Sequence, residues 1–225
     1  MVEWIDPEKK YSKTFWREDL KQNGFWFVDI PRTSSSSIRV ELEKKFGSAY
    51  GKENLLDTAL ASPQVFGDHC SVTEMVQWLG KDLWDELFTF SLVRNPWHRI
   101  LSLFFYINKF HSSSPTRQTF KDFLKHFEHL YVNDLPTPNH FKSCCDLLSH
   151  ENKIAVDFVG QYENRTADLA YIGKKIGHPG LGAMHTQIAS PPDLNYLDYY
   201  DDECAEIVST VFAQDIALFK YKFGE

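Results

Sequence analysis

The sequence predicts an α/β protein with a parallel β-sheet between layers of helices, three layers in all. Two apolar runs, Phe25–Ile30 and Leu87–Val93, each lead through a short polar loop into a stretch with the apolar spacing of a helix. A third run, Ile154–Val159, is followed by a further helical pattern. Strands that alternate with helices in this way pack as a parallel sheet that is covered on both faces.

The first unit is a strand, a seven-residue loop and a helix, which is the arrangement of P-loop-like folds. Residues 8–22 are polar and mixed and are predicted to form a helix ahead of this unit. Pro31 ends the first strand, and a helix is predicted from Ser37 because Ile38, Leu42 and Phe46 recur at a spacing of four. Gly47 is expected to end that helix.

The second unit repeats the plan around the turn Arg94–Pro96. The strand Leu87–Val93 precedes the turn, and a helix is predicted from Trp97 to Phe110. Since ligands of open α/β sheets bind at the carboxyl ends of the strands, both loops are candidates for one site. The same patterns predict a short strand at Val65–Gly67 and helices at Val72–Leu79, 164–177 and 203–218.

Length and charge restrict the organisation and the partners of the chain. Its 225 residues fit one domain over 1–225, with residues 1–24 as a helical extension at the N-terminus. The formal net charge of −7 gives no global attraction for polyanions, so we expect no nucleic acid partner. A local basic cleft for one small anion remains compatible with that charge.

Targeting signals and the spacing of the cysteines predict the cellular compartment of the protein. Residues 1–7 lack the basic and apolar regions of a signal peptide, and no run of 18 apolar residues occurs, so we expect no membrane association. The four cysteines form no C-x-x-C pair, which argues against a zinc ribbon and for reduced thiols. The expected location is the cytoplasm.

The loop from Pro31 to Ser37 reads PRTSSSS and has two interpretations. Backbone N–H groups at a helix N-terminus, serine hydroxyls and the charge of Arg32 together form a cradle for a phosphate group. Alternatively, the loop is a serine-rich surface turn in which Ser37 caps the helix. It is no Walker A sequence, because it contains no glycine and no G-K-[ST] ending.

The segment Ile30–Ser37 resembles the I-P-K-T-x-[GS]-T-S loop of sulfotransferases that use 3′-phosphoadenosine-5′-phosphosulfate (PAPS). The segment Arg94–Ser102, RNPWHRILS, is similar to a second motif of that family, R-N-P-W-x-R-x-x-S. The resemblance is to the branch of heparan and carbohydrate sulfotransferases and their bacterial relatives. It extends from Phe25 to Phe223 and includes Asp157–Asn164, which resembles the family segment D-F-[VI]-G-x-[YF]-E-N.

The resemblance implies how PAPS is bound. The 3′-phosphate is expected at Arg94 and Ser102. Two departures stand out: Arg32 replaces the family lysine, and residues 184–187 only loosely match a later family motif. The 5′-phosphosulfate is expected at the loop residues Arg32, Thr33, Ser34, Ser35, Ser36 and Ser37.

The resemblance also implies catalytic roles. Arg32, helped by Thr33 and Ser36, is expected to neutralise the charge that grows on the leaving phosphate. His69 resembles a histidine that serves as the general base in the family, and Asp68 is the alternative base. The product would be PAP, the nucleotide without its sulfuryl group.

Arginines and backbone N–H groups supply the positive charge, so we expect no metal. The alternative is a metal site at His126 and His129, which share one helical face, but no further ligand completes a recognisable pattern.

The acidic chain predicts a small neutral or cationic acceptor with a hydroxyl or an amine, since polyanionic glycans require basic clefts. Natural products of bacterial pathways, including cyanobacterial ones with guanidinium groups, are acceptors of this kind. Two other classes remain open: a P-loop kinase that uses ATP and Mg²⁺, and a nucleotide-binding module without catalysis.

Overall fold

The structure is a computed structural model that describes residues 13–47, 69–109, 115–183 and 195–225. Its strands are β1 (Phe25–Phe27), β2 (Phe88–Val93), β3 (Ser149–His150), β4 (Lys153–Ile154) and β5 (Phe158–Gln161). Its α-helices are α1 (Lys13–Asn23), α2 (Ser35–Phe46), α3 (Val72–Leu79), α4 (Lys81–Glu86), α5 (Pro96–Asn108), α6 (Arg117–Val132), α7 (Cys144–Leu148), α8 (Arg165–Lys175), α9 (Asp202–Val211) and α10 (Ala213–Phe219). Short 3₁₀ turns lie at Asn139–Phe141, Tyr162–Asn164 and Tyr196–Tyr199.

The central sheet has the strand order β1-β2-β5, and both strand pairs are parallel. Phe90 of the middle strand lies opposite Phe27 on one side and Phe158 on the other. The predicted α/β class, a parallel sheet flanked by helices, is therefore confirmed. The three strands end at one edge of the sheet, so the loop after β1 and the turn after β2 are neighbours. Strands β3 and β4 form a separate antiparallel ribbon.

Two apolar clusters stabilise the fold. One surrounds the sheet, and the other lies between α5, α6 and α9, where Phe120 is fully buried. Replacing a fully buried phenylalanine such as Phe120 by alanine typically costs roughly 3–5 kcal/mol. The sheet cluster includes Phe25, Ile30, Leu42, Phe90 and Leu92, and the helical cluster includes Phe104, Phe120, Phe127, Val208 and Phe212.

The prediction of one strand over Ile154–Val159 is wrong. The chain bends between β4 and β5 because its two ends pair with different partners. The amide of Ala155 donates to the carbonyl of Leu148, whereas Asp157 accepts from the amide and the hydroxyl of Thr89 at 2.7 and 2.9 Å. Pairing with β2 therefore begins only at Asp157.

The prediction of one helix over residues 203–218 is also wrong. Two helices, α9 and α10, meet at Phe212, whose backbone angles of φ −106° and ψ 27° leave helical geometry. Its ring is buried and lies 5.1 Å from the guanidinium of Arg99. The break lets α10 turn back toward the sheet, where Asp215 accepts from the first two amides of α7.

Other elements agree with the predictions within a few residues. The helix over Val72–Leu79 is confirmed at both ends, and the strands after Gly24 and Leu87 are present. The predicted strand Val65–Gly67 lies outside the described residues. All four cysteines are free. Within the described ranges, no helix has both the length and the apolar character needed to cross a bilayer.

Candidate active site

The loop between β1 and α2 has an unusual backbone. Arg32 and Ser34 adopt left-handed angles, with φ of 67° and 73°, although neither is glycine. Left-handed non-glycine residues cost about 1–3 kcal/mol each and occur most often where a site requires them. The turn is held from inside, because the hydroxyl of the buried Thr33 donates to the carbonyl of Ile30 at 2.9 Å.

Helix α2 begins without a side-chain cap. Ser34 occupies the capping position, and its carbonyl accepts from the amides of Ser37 and Ile38. Among the described residues, the side chain of Ser34 accepts no hydrogen bond from the first amides of α2. The interpretation of Ser37 as the cap is therefore wrong, since Ser37 lies in the first turn and is buried. An uncapped helix N-terminus leaves N–H donors for an anion.

The serine side chains of the loop differ in their surroundings. Ser35 and Ser36 line a cleft of about 120 Å³ together with Arg32. Ser34 is half-buried, and Ser37 is buried at the base of the helix. The loop therefore presents only part of its hydroxyl groups to the cleft.

The two sequence motifs meet at the carboxyl edge of the sheet. Arg32 Nε donates to the hydroxyl of Ser102 at 3.2 Å, and Arg94 Nη1 donates to the carbonyl of Arg32 at 3.1 Å. Aromatic rings support both cations: Arg32 lies 4.7 Å from the ring centre of Tyr106, and Arg94 lies 4.1 Å from that of Tyr162. The side chain of Arg32 thus reaches the serine that the resemblance assigns to the opposite end of the nucleotide.

The partners of Arg32 and Arg94 differ from those of Arg39. Within the described part of the chain, neither guanidinium forms an ion pair, whereas Arg39 pairs with Asp29 at 2.7 Å. Burial lowers the pKa of Arg32 below its usual value, and the charge of Arg94 lowers it further. The negative charge of a bound anion would offset this lowering, so the geometry fits a phosphate or sulfate ligand.

His69 lies in the same cleft as Arg32. Its Nδ1 is 2.9 Å from Asp29 Oδ1 and 3.1 Å from the carbonyl of Asp29. The ring is mostly buried and contacts the ring of His140 edge to face, with 4.6 Å between centres. The alternative base, Asp68, lies outside the described residues, as do residues 184–187.

Asp29 is the site residue that the sequence prediction missed. It lies directly after β1 and is buried, with Oδ2 at 2.7 Å from Arg39 Nε. Burial alone would raise the pKa of Asp29, but electrostatic interactions with His69 and Arg39 and hydrogen bonds from His69 and Ser35 lower it well below its usual value. A charged residue inside the apolar run Phe25–Ile30 was the available signal, because a buried carboxylate requires partners.

The turn after β2 is held by hydrogen bonds of Asn95. The side-chain oxygen of Asn95 accepts from the amides of Trp97 and His98, at 3.1 and 3.5 Å, and Pro96 is the first helical residue. The amide of Asn95 itself donates to Glu163 at 2.8 Å. The turn thereby fixes Arg94 at the edge of the sheet. No cluster of three potential metal ligands occurs in the described ranges.

Comparisons with known proteins agree with the described geometry. An uncharacterized protein of Archaeoglobus fulgidus is 32% identical over 118 residues, which are 52% of this chain and 89% of that protein. No solved structure matches the chain. The sequence model of the sulfotransferase family matches residues 21–222, a range that includes β1, β2, β5 and both loops of the site.

Proposed function

Because the chain belongs to the sulfotransferase family, we propose that it moves a sulfuryl group from PAPS to the hydroxyl or amine of a small acceptor. The bond between sulfur and the 5′-phosphate oxygen breaks, a bond from sulfur to the acceptor forms, and the acceptor loses one proton. PAP is the other product. The observation that carries the proposal is the meeting of Arg32, Ser102 and Arg94 beside the uncapped start of α2.

The residues fit a nucleotide that carries phosphate at two positions. The first amides of α2, among them that of Ser35, and the side chains of Arg32 and Ser36 would hold the 5′-phosphosulfate at the cleft, while the Ser35 hydroxyl stays bonded to Asp29. Arg94 and Ser102 would hold the 3′-phosphate. The bond from Arg32 to Ser102 joins these two groups, so we expect the Arg32 side chain to exchange Ser102 for an anionic partner when PAPS binds.

Arg32 and His69 have different catalytic roles in this proposal. Arg32 keeps a positive charge near the leaving phosphate oxygen, where negative charge grows during the transfer. His69 accepts the acceptor's proton, and its position in the same cleft supports that role. Positive charge comes from arginines and backbone N–H groups, and we propose no metal in the reaction.

The cleft supports a small neutral or cationic acceptor. Its walls beyond the loop include Val40, Glu43, Tyr106 and His140. Glu43 contributes a carboxylate that would repel a polyanionic glycan and attract a cationic group. We propose neither a nucleic acid nor a membrane as partner, and the free thiols support a cytoplasmic location.

An acceptor panel with ³⁵S-labelled PAPS tests the proposed function. The panel contains a phenol, an aliphatic amine, a guanidinium compound and a heparan oligosaccharide, each assayed without Mg²⁺. We expect label transfer to a neutral or cationic member together with release of PAP. Transfer only to the oligosaccharide would overturn the acceptor class. Absence of transfer, combined with Mg²⁺-dependent phosphorylation by ATP, would favour the kinase.

A further inference from the structure

A buried carboxylate, Asp29, contacts His69, which lines the same cleft as Arg32. We infer that Asp29 is a positioning residue that fixes the tautomer and the orientation of His69 for proton acceptance. The inference rests on the proposed function, since it assigns a role within the same site. It is carried by the contacts of Asp29 on both of its oxygens, at 2.9 Å to His69 Nδ1 and 2.7 Å to Arg39 Nε.

The contacts determine which ring nitrogen of His69 carries hydrogen. Asp29 is ionised, since its pKa lies well below the usual range, and an ionised carboxylate can only accept hydrogen bonds. The second atom near Nδ1, the carbonyl oxygen of Asp29 at 3.1 Å, is also only an acceptor. Nδ1 must therefore be the donor. In the neutral ring, the lone pair is then on Nε2.

Nε2 is left for the acceptor. Within the described residues, no hydrogen bond of His69 involves Nε2, although the ring lines the cleft. A neutral imidazole with its lone pair on that atom can take a proton from a hydroxyl or an ammonium group. The resulting imidazolium is then stabilised by the charge of Asp29.

The backbone of His69 is held from a second side. His69 adopts a left-handed conformation with φ of 74°, and its carbonyl accepts from the side-chain amide of Asn139 at 2.9 Å. The same amide contacts Glu74, whose carboxylate caps the start of α3. His140, next to Asn139, presses its ring against the ring of His69. Asp29 thus orients a side chain whose backbone is already fixed.

Because of Arg39, the variant Asp29→Asn should change the tautomer of His69. Arg39 is a permanent cation at 2.7 Å from Asp29 Oδ2, so the oxygen of an asparagine in Asp29→Asn would turn toward Arg39. The NH₂ group would then face His69 Nδ1 and donate to it. Nδ1 would become the acceptor and Nε2 would carry the hydrogen. The isosteric change therefore removes the lone pair from Nε2.

Kinetics of Asp29→Asn, His69→Ala and the double variant test the inference. We expect Asp29→Asn to lower kcat on the order of 10²-fold at saturating PAPS, because general base catalysis is worth about 10²–10⁴-fold. The dissociation constant for PAP should change by less than about threefold. The double variant should be no slower than His69→Ala, because Asp29 acts through His69. Losses that multiply in the double variant would overturn the inference.

The matched control is Asp157→Asn, which also replaces a carboxylate that holds backbone and hydroxyl groups. Asp157 binds Thr89 at the start of β5, and we place it outside the catalytic and binding machinery. We expect Asp157→Asn to lower the unfolding temperature and to leave kcat within about twofold. An equal fall of kcat in both variants would show that Asp29 has only a structural role.

A spectrum of the wild-type protein tests the inference with the side chain of Asp29 intact. Long-range ¹H–¹⁵N spectra of histidine-labelled protein report the tautomer, and His69→Ala assigns the signal. We expect hydrogen on Nδ1 in the wild type and on Nε2 in Asp29→Asn. Hydrogen on Nε2 in the wild type would overturn the inference. If PAP does not bind the wild type at all, the proposed function fails first.

Discussion

The loop after β1 and the turn after β2 lie side by side at one edge of the sheet but are built in opposite ways. Helix α5 starts with Pro96, and the side chain of Asn95 accepts from its first amides. Helix α2 starts at a left-handed Ser34 whose side chain forms no capping bond among the described residues. One helix start is closed by its own chain, and the other is open to a ligand.

The difference indicates that the turn after β2 supports the site and that the loop after β1 binds the ligand. The closed turn fixes Arg94, which in turn donates to the carbonyl of Arg32 in the open loop. In the described part of the chain, the open loop combines left-handed residues, a helix start without a side-chain cap and two cations without carboxylate partners. We therefore expect changes in the turn to affect stability, and changes in the loop to affect binding and turnover.

The largest effect is expected from Arg32→Ala in the open loop. Turnover at saturating PAPS should fall by about 10²–10³-fold, because losing one preorganised donor typically costs about 2.7–4 kcal/mol of barrier. Steady-state assays of PAP release measure this fall. Arg32→Lys is the matched control and should keep most activity, since lysine retains the charge. Near-normal turnover of Arg32→Ala would contradict the role of Arg32.

The next effect is on stability and lies in the closed turn. Asn95→Ala removes the cap of α5 and the two bonds from its amide to the carbonyls of Lys222 and Glu225. We expect a loss of about 2 kcal/mol, the upper end of the range for removing a cap. Urea unfolding measures this loss. If Asn95→Ala kept its stability but lost PAP binding, the turn would serve binding rather than stability, contrary to the comparison.

A third, smaller effect concerns the pH dependence of stability. Burial and the charge of Arg94 lower the pKa of His98 to about 4, whereas an unfolded histidine titrates near 6.5. Between these values the unfolded chain binds more protons, so stability should rise with pH from about 4 to about 6.5. His98→Phe retains a ring beside Tyr196. The slope of stability against pH should then be smaller, because the unfolded chain binds up to one proton fewer in excess of the folded chain.

Unfolding temperatures measured from pH 4 to pH 7 for both proteins show the difference. Identical curves for wild type and His98→Phe would mean that His98 is not held neutral. Carboxylates titrate over the lower part of this range in both proteins and cancel in the comparison.

The smallest effect is expected at the start of α2. Ser34→Ala removes a side chain that makes no capping bond in the described structure, so stability without ligand should change by less than about 0.5 kcal/mol. The same urea titration as for Asn95→Ala measures it. A loss equal to that of Asn95→Ala would show that α2 is capped as firmly as α5.

Much of the fold could be predicted from local patterns. Buried strands and amphipathic helices can be recognised from the spacing of apolar residues in the sequence, and the ends of α3 were predicted correctly. The bend at Asp157 and the break at Phe212 could not be, because they arise from contacts with Thr89 and from the burial of one ring. Such tertiary contacts have no counterpart in local periodicity.

The two motifs predicted that the loop after β1 and the turn after β2 would lie together, although they are far apart in the chain, and the roles of their residues stay predictions. The motif residues Arg32, Arg94 and Ser102 do meet in the structure. The role of Asp29 could not be predicted, because its partners Arg39 and His69 come from a helix and from a distant segment. The bond from Arg32 to Ser102 was missed for the same reason, since it joins the two motifs that the sequence assigned to separate phosphates.

The central claim is that the open loop and the fixed arginine together bind a nucleotide with phosphate at both the 3′ and the 5′ position. Calorimetric titration with PAP, ADP and ATP, in EDTA and again in Mg²⁺, tests it most directly. We predict that PAP binds in EDTA at least about tenfold more tightly than ADP, a difference of about 1.4 kcal/mol. Equal affinities for PAP and ADP, or binding of ATP that requires Mg²⁺ and exceeds that of PAP, would contradict the claim.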